Sequence, residues 1–133
     1  MGPLALRALV LGLALAPALA QGGDASASAG NDEAALKTIR GEIINLIGEP
    51  RCANLVHCRV LPLGARPCGG PSEYLAFSSM TANRETLEAK AYEYSFLEEE
   101  VNRSKSAVGP CEVLPQPRAA CIGGRCTLSS DRR

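Results

Sequence analysis

The sequence predicts an α+β domain in which two helices pack on a small, mainly antiparallel sheet that is stapled by disulfides. Three observations predict it: two segments with apolar residues at helical spacing, short runs bounded by glycine and proline, and six cysteines. We predict a single domain at residues 31–128. It lies between a flexible segment at 21–30, rich in Gly, Ser and Ala, and a short tail at 129–133.

The first residues have the three zones of a secretory signal peptide. Arg7 supplies a positive charge, residues 8–15 are apolar, and residues 18–20 form the Ala-Leu-Ala pattern that precedes a cleavage site. Pro17 interrupts the apolar run before it reaches the about 20 residues that a membrane span needs. We therefore predict that residues 1–20 are removed, that no membrane anchor remains, and that the mature protein is soluble, in the periplasm or outside the cell.

Two helices are predicted from caps and periodicity. The first begins at Asn31 or Asp32, ends at Gly48, and places its apolar residues at helical spacing: Leu36, Ile39, Ile43, Leu46 and Ile47. The second runs from a cap at Asn83 to about Lys105. One face of it is apolar and is predicted to face the core: Leu87, Ala91, Tyr94, Leu97 and Val101.

Short extended segments surround the second helix. Residues 55–63 alternate in character as a half-buried strand does, and Pro62 is expected either to end the regular pairing or to place it at an edge. Residues 74–78 return as the partner strand. Residues 111–114 are a further strand candidate. The Gly-Gly pair within residues 121–126 predicts a two-residue hairpin turn with a cysteine on each side.

An even number of cysteines in a small exported chain predicts three disulfides among Cys52, Cys58, Cys68, Cys111, Cys121 and Cys126. The favoured pairing has two local bonds, Cys121 with Cys126 across the hairpin and Cys52 with Cys58, which leaves Cys68 to join Cys111. The main alternative pairs the early cysteines with the late ones and staples the first strand to the last hairpin. Six cysteines allow 15 pairings, so the sequence leaves both open.

The motif Pro-Cys-Gly-Gly-Pro at residues 67–71, continued by Ser-Glu-Tyr-Leu-Ala-Phe-Ser at 72–78 and followed by a long helix and the late cysteines, is similar to a group of small exported bacterial proteins. The similarity covers roughly residues 50–126. Those proteins have no assigned activity. The resemblance implies a shared disulfide-supported domain and transfers no catalytic residue.

The residues argue against several classes of function. Removing residues 1–20 takes Arg7 from 14 basic residues, which leaves 13 against 14 acidic ones and gives no reason to expect nucleic acid as a partner. His57 is the only histidine, and no serine lies in a Gly-x-Ser-x-Gly elbow, so we predict no catalysis and no cofactor.

The spacing of the cysteines fits a zinc site poorly. The consecutive carboxylates at 98–100 diverge on a helix, so they predict a solvated face and no metal site.

These exclusions leave an exported interaction or structural module, monomeric, whose partner is an extracytoplasmic protein. Two surfaces are predicted to contact it: the loop at 64–71, which displays Arg66, Gly69 and Gly70 beside Cys68, and the hairpin tip with Arg125. The alternative is a protease-inhibitor-like binder that presents the Cys68 loop, because a cysteine-anchored arginine is preorganised for a trypsin-like protease. Pro67 after Arg66 argues against that alternative.

Overall fold

Two helices and two β-hairpins make up the fold of the computed structural model, which describes residues 25–129. In chain order the elements are α1 (Ala25–Ile47), a 3₁₀ turn (Leu55–His57), β1 (Cys58–Leu63), β2 (Glu73–Ser78), α2 (Arg84–Ser104), β3 (Arg118–Ile122) and β4 (Arg125–Ser129). β1 pairs with β2 and β3 with β4, both antiparallel. The predicted α+β class is confirmed, with two small sheets in place of one.

Part of the predicted organisation lies outside the described residues. The signal peptide at 1–20, residues 21–24 and the end of the tail at 130–133 are in this group. Between residues 25 and 129, neither helix combines the length and the apolar character that crossing a bilayer requires.

Helix α1 begins at Ala25, earlier than the cap predicted at Asn31 or Asp32. The backbone of residues 25–30 is therefore helical, although this part was predicted to be flexible. Alanine, the strongest helix former, recurs through this stretch and lets the helix extend past the polar cap. At the other end Gly48 adopts φ +55° and donates its N–H to the carbonyl of Ile44, which ends the helix as predicted.

The helices lie antiparallel and cover one face of the first hairpin. Lys105 forms an ion pair with Glu33, and Lys90 Nζ lies 2.8 Å from Glu42 Oε2, so the start of α1 is next to the end of α2. Their apolar faces and the hairpin share one core of buried residues: Ile43, Ile47, Leu61, Leu63, Phe77, Leu87, Ala91 and Tyr94. The predicted core stripes supply most of this cluster.

Strand β1 has buried residues on both faces, although Arg59 and Pro62 are exposed, whereas the sequence predicted burial on one face only. Leu61 and Leu63 face the helices, and Cys58 belongs to a second buried cluster with Cys52 and Cys126. Pro62 is tolerated within β1 because both strands of a two-stranded sheet are edges.

The predicted strand start at Leu55 is wrong. Residues 55–57 form a 3₁₀ turn, because Asn54 Oδ1 accepts the N–H of Val56 at 3.0 Å and caps the turn.

The second hairpin turns as predicted, but its cysteines bond elsewhere. Gly123 and Gly124 have φ values of +60° and +74°, and Cys121 lies directly opposite Cys126 in the β3–β4 register. The chain before β1 runs along the edge of β4, where Cys126 N–H donates to Pro50 O at 2.7 Å and Cys52 N–H donates to Gly124 O at 2.9 Å. This placement brings the early cysteines to the hairpin.

The disulfides are therefore Cys52–Cys121, Cys58–Cys126 and Cys68–Cys111. The local pairs Cys52–Cys58 and Cys121–Cys126 are wrong, and the alternative that joins early to late cysteines is correct. The Cys68–Cys111 pair agrees with the prediction. Of the two crossed bonds, Cys58–Cys126 ties β1 to β4, and Cys52–Cys121 ties the chain before the 3₁₀ turn to β3.

Residues 107–117, which we call the strap, have no regular secondary structure, so the strand predicted at 111–114 is wrong. Pro110, Pro115 and Pro117 remove backbone donors from this segment and prevent a regular ladder. The strap is instead held by individual contacts. These include the Cys68–Cys111 bond and the hydroxyl of Tyr74, which donates to Leu114 O at 3.3 Å.

Candidate functional site

The Cys68 loop, residues 64–71, is anchored on helix α2 by polar side chains. Gly64 N–H donates to Ser95 Oγ at 3.0 Å, and Ala65 N–H donates to Glu98 Oε2 at 2.6 Å. The hydroxyl of Ser72 donates to the same carboxylate oxygen at 2.6 Å. The prediction that residues 98–100 form a solvated face is therefore wrong for Glu98, which is half-buried and satisfies two donors.

The backbone of the Cys68 loop lies close to α2 at Gly64. Its φ is +84°, and a Cβ added there would meet Glu98 Oε2 and come within 2.8 Å of Ser72 Cβ. Asn102 Nδ2 donates to Ala65 O at 2.6 Å and holds the next peptide. Because no side chain fits, only glycine allows the loop to lie this close to the helix.

Glu98→Ala is expected to loosen the Cys68 loop and to lower the free energy of unfolding by about 1–3 kcal/mol, because the Ala65 amide and the Ser72 hydroxyl lose their acceptor. Hydrogen exchange at the Ala65 amide reports the local effect, and urea unfolding reports the global one. Glu99→Ala, at the exposed neighbouring position, is the matched control and should leave both measurements nearly unchanged. Equal effects of the two variants would show that Glu98 does not anchor the loop.

An ion pair and a buried tyrosine lie on the same side of the domain. Arg40 Nε and Nη2 donate to the two carboxylate oxygens of Glu73 at 2.8 and 3.1 Å, and this bond raises the pKa of Arg40. Burial raises the pKa of Tyr94, and the carboxylates of Glu98 and Glu73 add to the effect. These groups hold α1, the start of β2 and α2 together.

Of the residues predicted to contact a partner, Arg66, Gly69 and Gly70 form one compact turn. Arg66 N–H donates to Gly70 O, and Gly69 N–H donates to Arg66 O, both at 2.9 Å. The guanidinium of Arg66 turns toward the strap and donates to Glu112 O at 2.6 Å. Because the arginine head is bonded within the protein and the loop folds back on itself, the geometry disfavours the inhibitor-like alternative, which needs an extended segment with a displayed side chain.

A cleft of about 620 Å³ lies between the Cys68 loop and the end of α2. Gly69 and Gly70 form part of its wall, and its polar side chains are those of Arg66, Glu99, Asn102, Arg103 and Ser106. Arg103 forms ion pairs with Glu99, at 3.1 Å, and with Glu100. The two arginine heads are thus both hydrogen-bonded within the protein, Arg103 to carboxylates and Arg66 to a backbone carbonyl.

Arg125 lies in a different environment from the Cys68 loop. It stands at the start of β4 beside Arg51, and its Nη1 is 3.9 Å from Glu49 Oε1. The hydrogen bond from Arg51 lowers the pKa of Glu49, and Arg125 contributes to the shift. The guanidinium of Arg125 thus lies near the chain before the 3₁₀ turn, whereas the guanidinium of Arg66 is bonded to the strap.

The sequence analysis missed a third surface, on helix α2. Tyr92 and Phe96 are 74% and 55% exposed and lie one turn apart, off the core stripe. We call this pair the aromatic ridge. Beside Tyr92 is a cleft of about 400 Å³ with walls that include Pro62 and Pro71. The signal was present in the sequence: two aromatic residues at i and i+4 that do not belong to the buried face.

Helix α2 carries more acidic than basic residues around this ridge. Its sequence has six glutamates against three basic residues, Arg84, Lys90 and Arg103. The basic residues form ion pairs with Glu88, Glu93, Glu99 and Glu100, and Lys90 also pairs with Glu42 of α1. The helix that carries the ridge therefore has a net negative charge, which complements a partner that carries lysine or arginine beside an apolar contact.

The only histidine is engaged by its own segment of chain. His57 Nδ1 accepts the N–H of Ala53 at 3.3 Å, and the hydroxyl of Ser79 donates to the backbone carbonyl of His57 at 3.2 Å. In this arrangement the imidazole stabilises the 3₁₀ turn, and the neighbouring serine hydroxyl is directed at a backbone oxygen.

The sulfurs of Cys52, Cys58 and Cys126 lie within 4.8 Å of one another. All three are in disulfides, and the thiolate, not the disulfide sulfur, is the metal ligand.

No protein-family model, no curated protein and no solved structure matches this chain.

Proposed function

We propose that this protein is an exported, disulfide-stabilised interaction module that acts without catalysis and binds an extracytoplasmic protein through the aromatic ridge on α2. The observation that carries the proposal is the exposure of Tyr92 and Phe96. The chain has no tryptophan, three tyrosines and two phenylalanines, so two of its five aromatic residues are placed at the surface. Exposed aromatic residues that cluster are typical of contact surfaces.

The rigidity of the surroundings favours this surface over the others. The cleft beside Tyr92 includes Gly64 and Ser95, the residues through which the Cys68 loop is anchored to α2. A partner that fills the cleft therefore meets a preformed wall and loses little binding energy to ordering it. Binding would bury the exposed area of Tyr92 and Phe96. The net negative charge of α2 favours a partner with basic residues beside its apolar contact.

Export supports the choice of partner. Three disulfides are typical of proteins that fold in an oxidising compartment, which agrees with the signal peptide predicted at residues 1–20. The resemblance of residues 67–78 to small exported bacterial proteins adds a bacterial periplasm or cell exterior to the proposal. The partner is then another extracytoplasmic protein, and the module is monomeric when unbound.

The test is binding of the mature protein to the extracytoplasmic proteins of its host, with quantification of each captured species. Tyr92→Ala/Phe96→Ala should weaken capture of the partner about tenfold or more, because exposed aromatic anchors commonly contribute 2 kcal/mol or above.

The matched control is Leu55→Ala/Val56→Ala. It removes two other apolar side chains, 59% and 65% exposed, from the 3₁₀ turn and should leave capture unchanged. Both variants should keep the wild-type unfolding midpoint. If the control abolishes binding while the ridge variant does not, the contact surface lies at the turn and the proposal is wrong.

A further inference from the structure

Two disulfides, Cys52–Cys121 and Cys58–Cys126, bring three buried sulfurs together where the chain around β1 meets the second hairpin. Cys52 bonds to Cys121, Cys58 bonds to Cys126, and the sulfurs of Cys52, Cys58 and Cys126 all lie within 4.8 Å of one another. Both sulfurs of one disulfide are thus close to a sulfur of the other. Thiol–disulfide exchange requires this kind of proximity, since a thiolate must reach a bonded sulfur directly.

The local pairing of the same four cysteines is also supported, by the strand register for one bond and by sulfur proximity for the other. Cys121 and Cys126 are direct partners across the β3–β4 ladder, next to the two-residue turn, where a cross-strand bond needs little backbone movement. The remaining sulfurs, those of Cys52 and Cys58, are within the 4.8 Å limit of the cluster. The local pairing that the sequence favoured is therefore within reach of the folded chain.

We propose that this cluster is a thiol-exchange centre at which a thiol converts the crossed pairing into the local pairing. A thiolate attacks Cys121 Sγ, forms a mixed disulfide there and releases Cys52 as a thiolate. Cys52 attacks Cys58 Sγ, and Cys126 leaves as a thiolate. Cys126 attacks Cys121 Sγ and expels the original thiolate. Two disulfides are present at the start and at the end, so no oxidant or reductant is consumed.

Cys121 is the point of entry because the other three sulfurs are shielded. Cys52, Cys58 and Cys126 are 8%, 5% and 4% exposed, whereas Cys121 is only half-buried. Attack at Cys121 releases Cys52, which is the sulfur already near Cys58. Exposure and proximity thus give the exchange a single order of steps.

The exchange changes what the disulfides connect. The crossed bonds join residues 69 and 68 positions apart and tie the second hairpin to the rest of the domain. The local bonds close only short loops. The β3–β4 hairpin then has its own cross-link, and no disulfide joins it to the chain around β1. This inference is independent of the aromatic ridge and of any partner there.

The first test uses the intact protein with reduced glutathione as the thiol under native conditions, followed by acid quenching and peptide mapping. Trypsin cleaves after Arg51, Arg59, Arg118 and Arg125. The crossed pairing therefore holds three peptides together, whereas the local pairing gives peptide 52–59 with an internal bond and a separate two-peptide product. We expect the local products to accumulate in proportion to the loss of the three-peptide product.

Cys68–Cys111 is the internal control. Glutathione can open this exposed bond, but the two sulfurs should re-form a disulfide only with each other, because neither belongs to the cluster. Recovery of only the three-peptide product, glutathione adducts and fully reduced peptides would overturn the proposal.

A second test needs no added thiol. Cys121→Ser leaves one unpaired thiol at Cys52, and exchange should move part of that thiol to Cys58 and Cys126, as read by alkylation and peptide mapping. Cys111→Ser is the matched control and should keep its thiol on Cys68. A label confined to Cys52 in a folded Cys121→Ser protein would refute the exchange. If that variant does not fold, the glutathione experiment on the wild-type chain decides.

Discussion

Gly64→Ala is expected to lower the free energy of unfolding by about 3 kcal/mol, the sum of two costs. A residue with a Cβ at φ +84° costs about 1–2 kcal/mol, and forcing that Cβ against Ser72 and Glu98 adds about the same or more. Glu98 cannot withdraw without giving up the Ala65 amide and the Ser72 hydroxyl. Urea unfolding followed by circular dichroism measures the loss.

Variants at two other glycines allow the cost of the backbone conformation to be measured separately from the cost of the steric contact. Gly123 has φ +60° but open space around it, so Gly123→Ala should carry the backbone cost alone, about 1–2 kcal/mol. Gly41 lies inside α1 with nothing near it, and Gly41→Ala should stabilise the protein by about 0.5–1 kcal/mol. A Gly64→Ala effect no larger than that of Gly123→Ala would mean that the loop moves away from α2 at no cost.

The double variant Cys58→Ala/Cys126→Ala is expected to lose about 4 kcal/mol or more. Its cross-link spans 68 residues, so removing it releases a large part of the unfolded chain. Both sulfurs are also buried, at 5% and 4% exposure, and their packing is lost with the bond. Equilibrium unfolding without reductant, with an unchanged spectrum for any folded fraction, measures this effect.

Cys68→Ala/Cys111→Ala is the comparison. Its residues are exposed and tether the irregular strap, so part of the entropy gained by the unfolded chain is matched by freedom gained in the native strap. We expect a loss of about 2 kcal/mol, within the lower range for disulfides. If this surface pair proves the more costly one, the strap, not the sulfur cluster, is the main staple of the domain.

The elements that depend on local sequence were predicted well. The stripe from Leu87 to Val101 and the turn at Gly123-Gly124 follow from side-chain periodicity and from the φ values that glycine alone adopts readily. The early start of α1 and the 3₁₀ turn at Leu55–His57 were missed, because a long alanine-rich stretch and a side-chain cap compete with the patterns that were followed.

For the candidate surfaces, the sequence predicted where the residues lie in the chain but not which atoms surround them. The cysteine and glycines of residues 64–71 correctly predicted the position of the Cys68 loop in the chain. The direction of the Arg66 side chain, however, depends on Glu112, which is distant in sequence. The exposure of Tyr92 and Phe96 depends in the same way on which face of α2 the core takes. A side chain's type is local information, whereas its surroundings are not.

By itself the sequence determined the α+β class, the two helices, the hairpin turn and the use of cysteines as staples, since each follows from residue types at short spacing. Only the tertiary structure decided which cysteines bond and which acidic residue is structural. Cys121 faces Cys126 but bonds Cys52 because the chain before β1 runs along β4, and Glu98 anchors a loop because Gly64 lets that loop reach the helix. Long-range packing sets such choices, and local patterns carry no information about it.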